Sequence, residues 1–192
     1  MAEPARKFAT FDDVLALGPE APVEVLRGVI VERAAPDAEH ADTQTELAAR
    51  IRTAFGRRGG GDLPGGWWIL VEVDIELEPH EVVRPDIAGW RRDRVPERPK
   101  GRPVRVAPHW VCEVVSTSNA ENDLVRKWNL YRKHRVDHYW VADPARAVLT
   151  VHRWTESGYL TILQAGRGDV VRAEPFEAIE IAVGTLFGDE PV

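Results

Sequence analysis

Apolar and polar positions alternate most cleanly between Trp67 and Leu77, with Ile69, Val71, Val73, Ile75 and Leu77 on one face and Leu70, Glu72, Asp74 and Glu76 on the other. A period of two is that of a half-buried strand, so a single strand is expected over 67–77, with Glu72 facing solvent. Pro79-His80-Glu81 turns the chain into a second strand, Val82 to Trp90, and the two read as a β-hairpin. His109 to Val115 is a nearly continuous apolar run broken only by Glu113, the pattern of a central strand covered on both faces. His138 to Ala142 is another apolar strand. Val148–Trp154 and Tyr159–Leu163, joined through Glu156-Ser157-Gly158, form a further hairpin, and 176–187 closes with one or two short strands. Upstream, two apolar runs between Val23 and Val31 meet at Gly28, as in a tight hairpin or a bent strand pair.

Helical signals fall between these strands. Residues 8–20 read as a short helix capped by Thr10 and stopped by Gly18-Pro19. Pro36-Asp37 opens a helix that reaches Phe55, with Leu47, Ile51, Ala54 and Phe55 at helical spacing. The same stripe continues back through Gln44 and His40, which places two polar side chains on the buried side of its N-terminal end. Ser116-Thr117-Ser118-Asn119 is a run of capping residues before a helix over 121–134. The loop Arg91–Pro108 is rich in arginine and proline and long enough to be functional or mobile. The order of elements predicts an α/β (α+β) fold, a mixed β-sheet flanked by helices with an extra C-terminal β-hairpin, built as a single domain over 1–192.

At 192 residues and 21.5 kDa the chain can bury a full core without staples, and its single cysteine, Cys112, excludes an intramolecular disulfide. Cys112 lies in an apolar run, as a buried thiol in a reducing compartment would. The longest apolar stretch is broken by Glu72, Asp74 and Glu76, so no transmembrane helix fits. The N-terminus, with Glu3, Arg6 and Lys7 before Phe8, lacks a signal-type apolar segment. A soluble cytoplasmic protein is expected, with no membrane partner. The net charge of −6 argues against a strong nonspecific polyanion binder. That mean hides a split: Arg84–Arg135 carries thirteen basic and six acidic residues, +7, leaving −13 elsewhere.

Two carboxylates occupy costly positions inside that basic segment. Asp86 begins a strand in Arg84-Pro85-Asp86-Ile87-Ala88-Gly89-Trp90, and Glu113 interrupts Trp110-Val111-Cys112-Glu113-Val114-Val115. A buried carboxylate must be paired, neutralised or bound to metal. Each acid can therefore be partnered by an arginine, or the two can meet on neighbouring strands and hold a hard divalent cation through oxygen. Asp123, Lys127 and Tyr131 follow at i, i+4 and i+8, with Leu124 and Trp128 beside them as the packing face. Asp123 and Lys127 alone could be a surface ion pair; beside two acids, the ammonium can stabilise a phosphoryl transition state.

Arg84-Pro85-Asp86, Glu113-Val114-Val115-Ser116-Thr117-Ser118, Asp123 with Lys127 and Tyr131, and Tyr139-Trp140-Val141-Ala142-Asp143-Pro144 together resemble the Uma-type restriction endonuclease family. This is a bacterial branch of the PD-(D/E)XK nuclease superfamily, long filed as a domain of unknown function. Val23–Val31 and the helix opening at His40 resemble its N-terminal strand pair and first helix, so the likeness covers a core of residues 10–165. It implies a restriction-endonuclease-like core with Asp86 and Glu113 as metal ligands for Mg²⁺ or Mn²⁺ and the Val114 carbonyl as a third candidate. The superfamily's lysine lies two residues after the glutamate, where this chain has Val115. Either Lys127 reaches in from the following helix, or the site holds metal and cleaves poorly. His40, Gln44 and Glu24 are second-rank candidates, each readable as a structural polar residue. His109, His134, His138 and His152 show no zinc-like spacing.

The expected function is a metal-dependent endonuclease acting on nucleic acid, DNA before RNA, with Arg91, Arg92, Arg94 and Arg98 tracking the backbone and Asp86, Glu113, Lys127 and His40 as the catalytic set. The rival is a non-catalytic nuclease-like binding or assembly protein with a vestigial metal site, which Val115 and the acidic total favour. A homodimer is expected on the ground that cutting a duplex needs two sites.

Overall fold

The computed structural model describes residues 8–18, 20–59, 63–116 and 120–190, with side chains for all of these except 120–123. In chain order the elements are α1 (Phe11–Ala16), β1 (Val23–Leu26), β2 (Val29–Glu32), α2 (Ala38–Phe55), β3 (Trp67–Val71), β4 (Ile75–Glu78), β5 (Glu81–Val83) and β6 (Ile87–Arg91). Then follow β7 (Trp110–Val114), α3 (Ala120–Lys133), β8 (His138–Asp143), β9 (Val148–Thr155), β10 (Gly158–Gly166), β11 (Val170–Val171), β12 (Ile181–Ala182) and a 3₁₀ turn, Val183–Phe187.

The principal sheet has six strands in the order β10-β9-β8-β7-β6-β3, and a smaller one has the order β2-β1-β5-β4. Within the larger sheet only β7 and β8 run parallel, with α3 as the crossover between them. This bears out the mixed sheet flanked by helices. One face of the large sheet presents Ile69, Ile87, Trp110, Cys112, Val114 and Trp140 to Leu47, Ile51 and Phe55 of α2 and to Phe176. The opposite face presents Ala88, Trp90, Val111 and Tyr139 to Leu130 and Tyr131 of α3 and to Leu26, Ile75 and Val83 of the small sheet. Gly89 is needed between them, because a Cβ there would lie 3.0 Å from the Trp110 ring.

The expected single strand over 67–77 is in fact two. β3 belongs to the large sheet and β4 to the small one, and Glu72, in the left-handed region at φ 52°, turns the chain between them. The return arm divides at the same level: β5 pairs with β4, Arg84-Pro85-Asp86 crosses over, and β6 pairs with β3. Val82–Trp90 is therefore not one strand either. Side-chain alternation cannot register this, because both halves of each arm remain strands. At the C-terminus, β12 pairs with β11, outside the expected 176–187, and a 3₁₀ turn follows.

The capping residues Thr117, Ser118 and Asn119 and the stop residue Pro19 lie outside the described residues. Asp37 caps α2 as expected, accepting the His40 N–H at 2.9 Å. Among the described residues, no helix is long and apolar enough to cross a membrane.

Candidate functional site

The register of the two central strands brings the acids together. Ile87 pairs with Cys112 and Ala88 with Val111, so one further step places Asp86 opposite Glu113 on the same face of the sheet. The Val114 N–H donates to Asp86 Oδ2 at 2.6 Å, which fixes the carboxylate against the end of β7. Both acids are buried, at 3% and 4% exposure.

Each is surrounded by donors from other elements. Lys127, from α3, donates to Glu113 Oε2 at 3.0 Å and lies 3.3 Å from Glu24 Oε1. The Tyr131 hydroxyl, one turn further along α3, donates to Glu113 Oε1 at 2.6 Å. From the first turn of α2, His40 Nε2 lies 3.3 Å from Asp86 Oδ1. Arg33, just past β2, contacts the same oxygen at 3.4 Å and forks onto Glu72 at 2.7 and 3.3 Å. Gln44 donates to the Asp86 carbonyl and to Glu72. Glu24, facing this cluster from β1, also accepts the Arg84 N–H at 2.7 Å.

Burial works against ionisation of Asp86, but the His40 contact, the Lys127 charge and the Val114 N–H outweigh it and hold the carboxyl below its usual range. Glu113 goes the other way: burial, with the charges of Asp86 and Glu24, pushes it up to about 8 against the pull of Lys127 and Tyr131. Desolvation lowers the tendency of His40 to charge, yet its contact with Asp86 prevails and raises it. Two facing carboxylates with opposite shifts are characteristic of a site, though ion-pair networks also produce them.

The structure thus gathers Asp86, Glu113, Lys127 and His40, with Glu24 and Gln44, and sets the main chain of Val114 against Asp86. The Asp123 side chain lies outside the described residues. Among the described residues Arg91, Arg92, Arg94 and Arg98 make no hydrogen bond or ion pair with this cluster; Arg91 ends β6, about 17 Å from Asp86 at the rise of a strand, and pairs with Asp93. Arg92 is also spent structurally, stacked 3.4 Å over the Trp68 ring and donating to the carbonyls of Trp67 and Gly56. Arg33 and Tyr131 carry contacts that sequence reasoning did not assign. Tyr131 was visible in the helical stripe with Lys127, whereas nothing around Arg33 marks it. Glu72 faces solvent as expected, and it also accepts hydrogen bonds from Arg33 and Gln44.

The donors are hard oxygens from two carboxylates, with Val114 main chain alongside, and these suit Mg²⁺ or Mn²⁺. Among the described residues no group of three or more His, Cys, Asp and Glu side chains is already spaced to ligate a metal. Protein cations hold the acids instead. His40 Nδ1 is buried without a hydrogen-bond partner among the described residues, a polar atom that the protein itself leaves unsatisfied.

A crystal structure of a "putative nuclease belonging to DUF820 from Anabaena variabilis ATCC 29413" superposes with a TM-score of 0.73 at 20% identity, covering 93% of this chain and 97% of that one, and shows the shared fold. A cryoEM structure of a DrdV–DNA complex matches at a TM-score of 0.40 and 15% identity, with 94% of this chain but 13% of that one covered. No curated protein matches. The Uma2 family model, described as "Putative restriction endonuclease", matches residues 8–184, from before α1 into the closing 3₁₀ turn, and the chain belongs to that family.

Proposed function

We propose that the chain is a divalent-metal-dependent endonuclease hydrolysing phosphodiester bonds, in DNA in preference to RNA. The observation that carries this reading is the facing pair Asp86 and Glu113 with the Lys127 ammonium 3.0 Å from Glu113, on a fold shared with family members named as nucleases. Asp86 and Glu113 would hold Mg²⁺ or Mn²⁺, with the Val114 carbonyl as a third oxygen. When bound, the ion supplies an activated water and polarises the phosphate. Lys127 stands in for the lysine absent at Val115, stabilising charge that develops on the phosphate. Tyr131 and His40 keep the two carboxylates oriented.

Purified protein incubated with Mn²⁺ and either supercoiled plasmid or single-stranded DNA tests this. Cleavage is expected, and Asp86→Ala or Glu113→Ala should lower it at least ~100-fold, the scale set by removal of one essential electrostatic group. Undiminished activity in both variants would overturn the assigned site. A second reading, a non-catalytic nuclease-like binding protein, is favoured by one observation: the carboxylates already have protein partners, Lys127 at Glu113 and Arg33 and His40 at Asp86. Thermal unfolding separates the two. A metal site raises the melting temperature with Mn²⁺, and Asp86→Asn abolishes the response. Stabilisation by Asp86→Asn together with indifference to metal supports the binding protein. A homodimer would bring two sites to the two strands of a duplex, and light scattering at working concentration measures it.

A further inference from the structure

Arg33 is held in a way that its ion pair alone does not explain. Its guanidinium forks onto the Glu72 carboxylate, and that carboxylate is itself fixed from two sides. Glu72 occupies left-handed backbone at φ 52°, where a non-glycine residue is strained, and its N–H donates to the Asp86 carbonyl at 3.3 Å. The Gln44 amide bridges Glu72 Oε1 at 3.1 Å and the same Asp86 carbonyl at 3.0 Å. The left-handed backbone serves the change of sheet between β3 and β4, but an ion pair whose acid is 39% exposed adds little stability, so the bridging amide is not accounted for by the pair alone.

The side of Arg33 that faces the acids is not saturated. Its contact to Asp86 is long, 3.4 Å, and its Nε lies 3.9 Å from Glu24, beyond hydrogen-bond reach. A guanidinium has five N–H donors, and the bonds to Glu72 and Asp86 account for three. With an 18% exposed side chain Arg33 stands nearer solvent than Lys127, which sits at 4% between Glu24 and Glu113.

We propose that Arg33 is the substrate-binding residue of this site: held by Glu72, which Gln44 in turn braces, it donates to a non-bridging oxygen of the phosphodiester brought to Asp86 and Glu113. A planar fork held firmly by Glu72 and only loosely by Asp86, with two donors open, is suited to phosphate in a way a lysine is not. This assignment rests on the nuclease reading and names the residue that grips its substrate.

The test is fluorescence anisotropy of a short labelled DNA duplex titrated with protein in Ca²⁺ over a series of salt concentrations, with circular dichroism confirming each variant's fold. Arg33→Gln should weaken binding about tenfold and reduce the slope of log K against log salt by about 0.9, the loss of one phosphate contact. Glu72→Gln keeps the cation but frees it, so the slope should persist while affinity falls several-fold. Arg33→Lys should behave like Glu72→Gln. An unchanged slope and affinity in Arg33→Gln, with wild-type protein that binds and cleaves, overturns the assignment and leaves the nuclease reading intact. Wild-type protein that binds no DNA overturns both. If Arg33→Gln does not fold, Glu72→Gln decides, and undiminished affinity in that variant overturns the assignment.

Discussion

His152 shows at the scale of one side chain how burial sets chemistry outside the candidate site. It is 7% exposed, its Nδ1 lies 3.0 Å from the Thr161 hydroxyl, and the Trp128 and Tyr139 rings flank it. Desolvation with no acid beside it pushes its pKa down from 6.5 to about 4. Between those values the unfolded chain binds a proton that the folded protein refuses, so stability from this residue is present above pH 6.5 and is lost as pH falls toward 4. The loss is on the order of 3 kcal/mol. His152→Phe should flatten the acid limb of a plot of unfolding free energy against pH, and denaturant melts at pH 7 and 4.5 read the difference. A variant whose acid limb matches that of the wild type would show that His152 is not the group responsible. The same physics made Asp86 and Glu113 legible from sequence, since a carboxylate in an apolar run needs a reason. Arg33 was illegible because its partners, Glu72 and Asp86, lie 39 and 53 positions away and are brought to it only by the docking of three segments.

At the scale of elements, most strands were legible from periodicity and the three helices from periodicity and capping residues, and the two misread arms of the central hairpin share one cause. Periodicity reports that a residue faces a core, not which sheet it belongs to. Trp67–Leu77 alternates cleanly through a change of sheet at Glu72, and the returning arm changes sheet at Arg84-Pro85-Asp86. Asp86 owes its place to that crossing, which delivers it to the end of β7. The β1–β2 hairpin was legible, and its turn is testable. Arg27 and Gly28 have φ of 53° and 71°, the geometry of a two-residue type I′ turn, and a Cβ on Gly28 would lie 2.4 Å from the Phe8 ring. Gly28→Ala should therefore cost about 1–3 kcal/mol, combining left-handed strain with displacement of Phe8. Denaturant unfolding measures it. Because Glu24 and Arg33 stand at the far end of this hairpin, DNA affinity should fall alongside stability, and a neutral Gly28→Ala would show that the turn relaxes without disturbing either.

For the whole molecule, the positive charge of Arg84–Arg135 is smaller in effect than its sum. Arg84 and Arg102 both serve Asp74, Arg91 serves Asp93, Arg105 serves Glu76, Lys133 serves Glu78, and Lys127 serves Glu113 and Glu24. Arg94, Arg98 and Lys100 are exposed and have no ion pair among the described residues, which leaves them as the loop's free cations. Their loop starts about 17 Å from Asp86, the length of five base-pair steps of duplex at 3.4 Å each. If the chain cuts duplex DNA as proposed, these exposed side chains are the ones placed to meet backbone flanking the cut. With six of the segment's thirteen cations held in ion pairs and a net charge of −6, binding should be weak, with a log–log salt slope near −2 to −4, against about −5 to −9 for proteins making six to ten phosphate contacts. The double variant Arg94→Gln/Arg98→Gln should reduce that slope by about two while leaving the single-turnover cleavage rate of saturated duplex unchanged. A drop in that rate would place the loop at the scissile phosphate. An unaltered slope would remove it from the footprint and leave Arg33 and the cations around the carboxylates to account for the affinity.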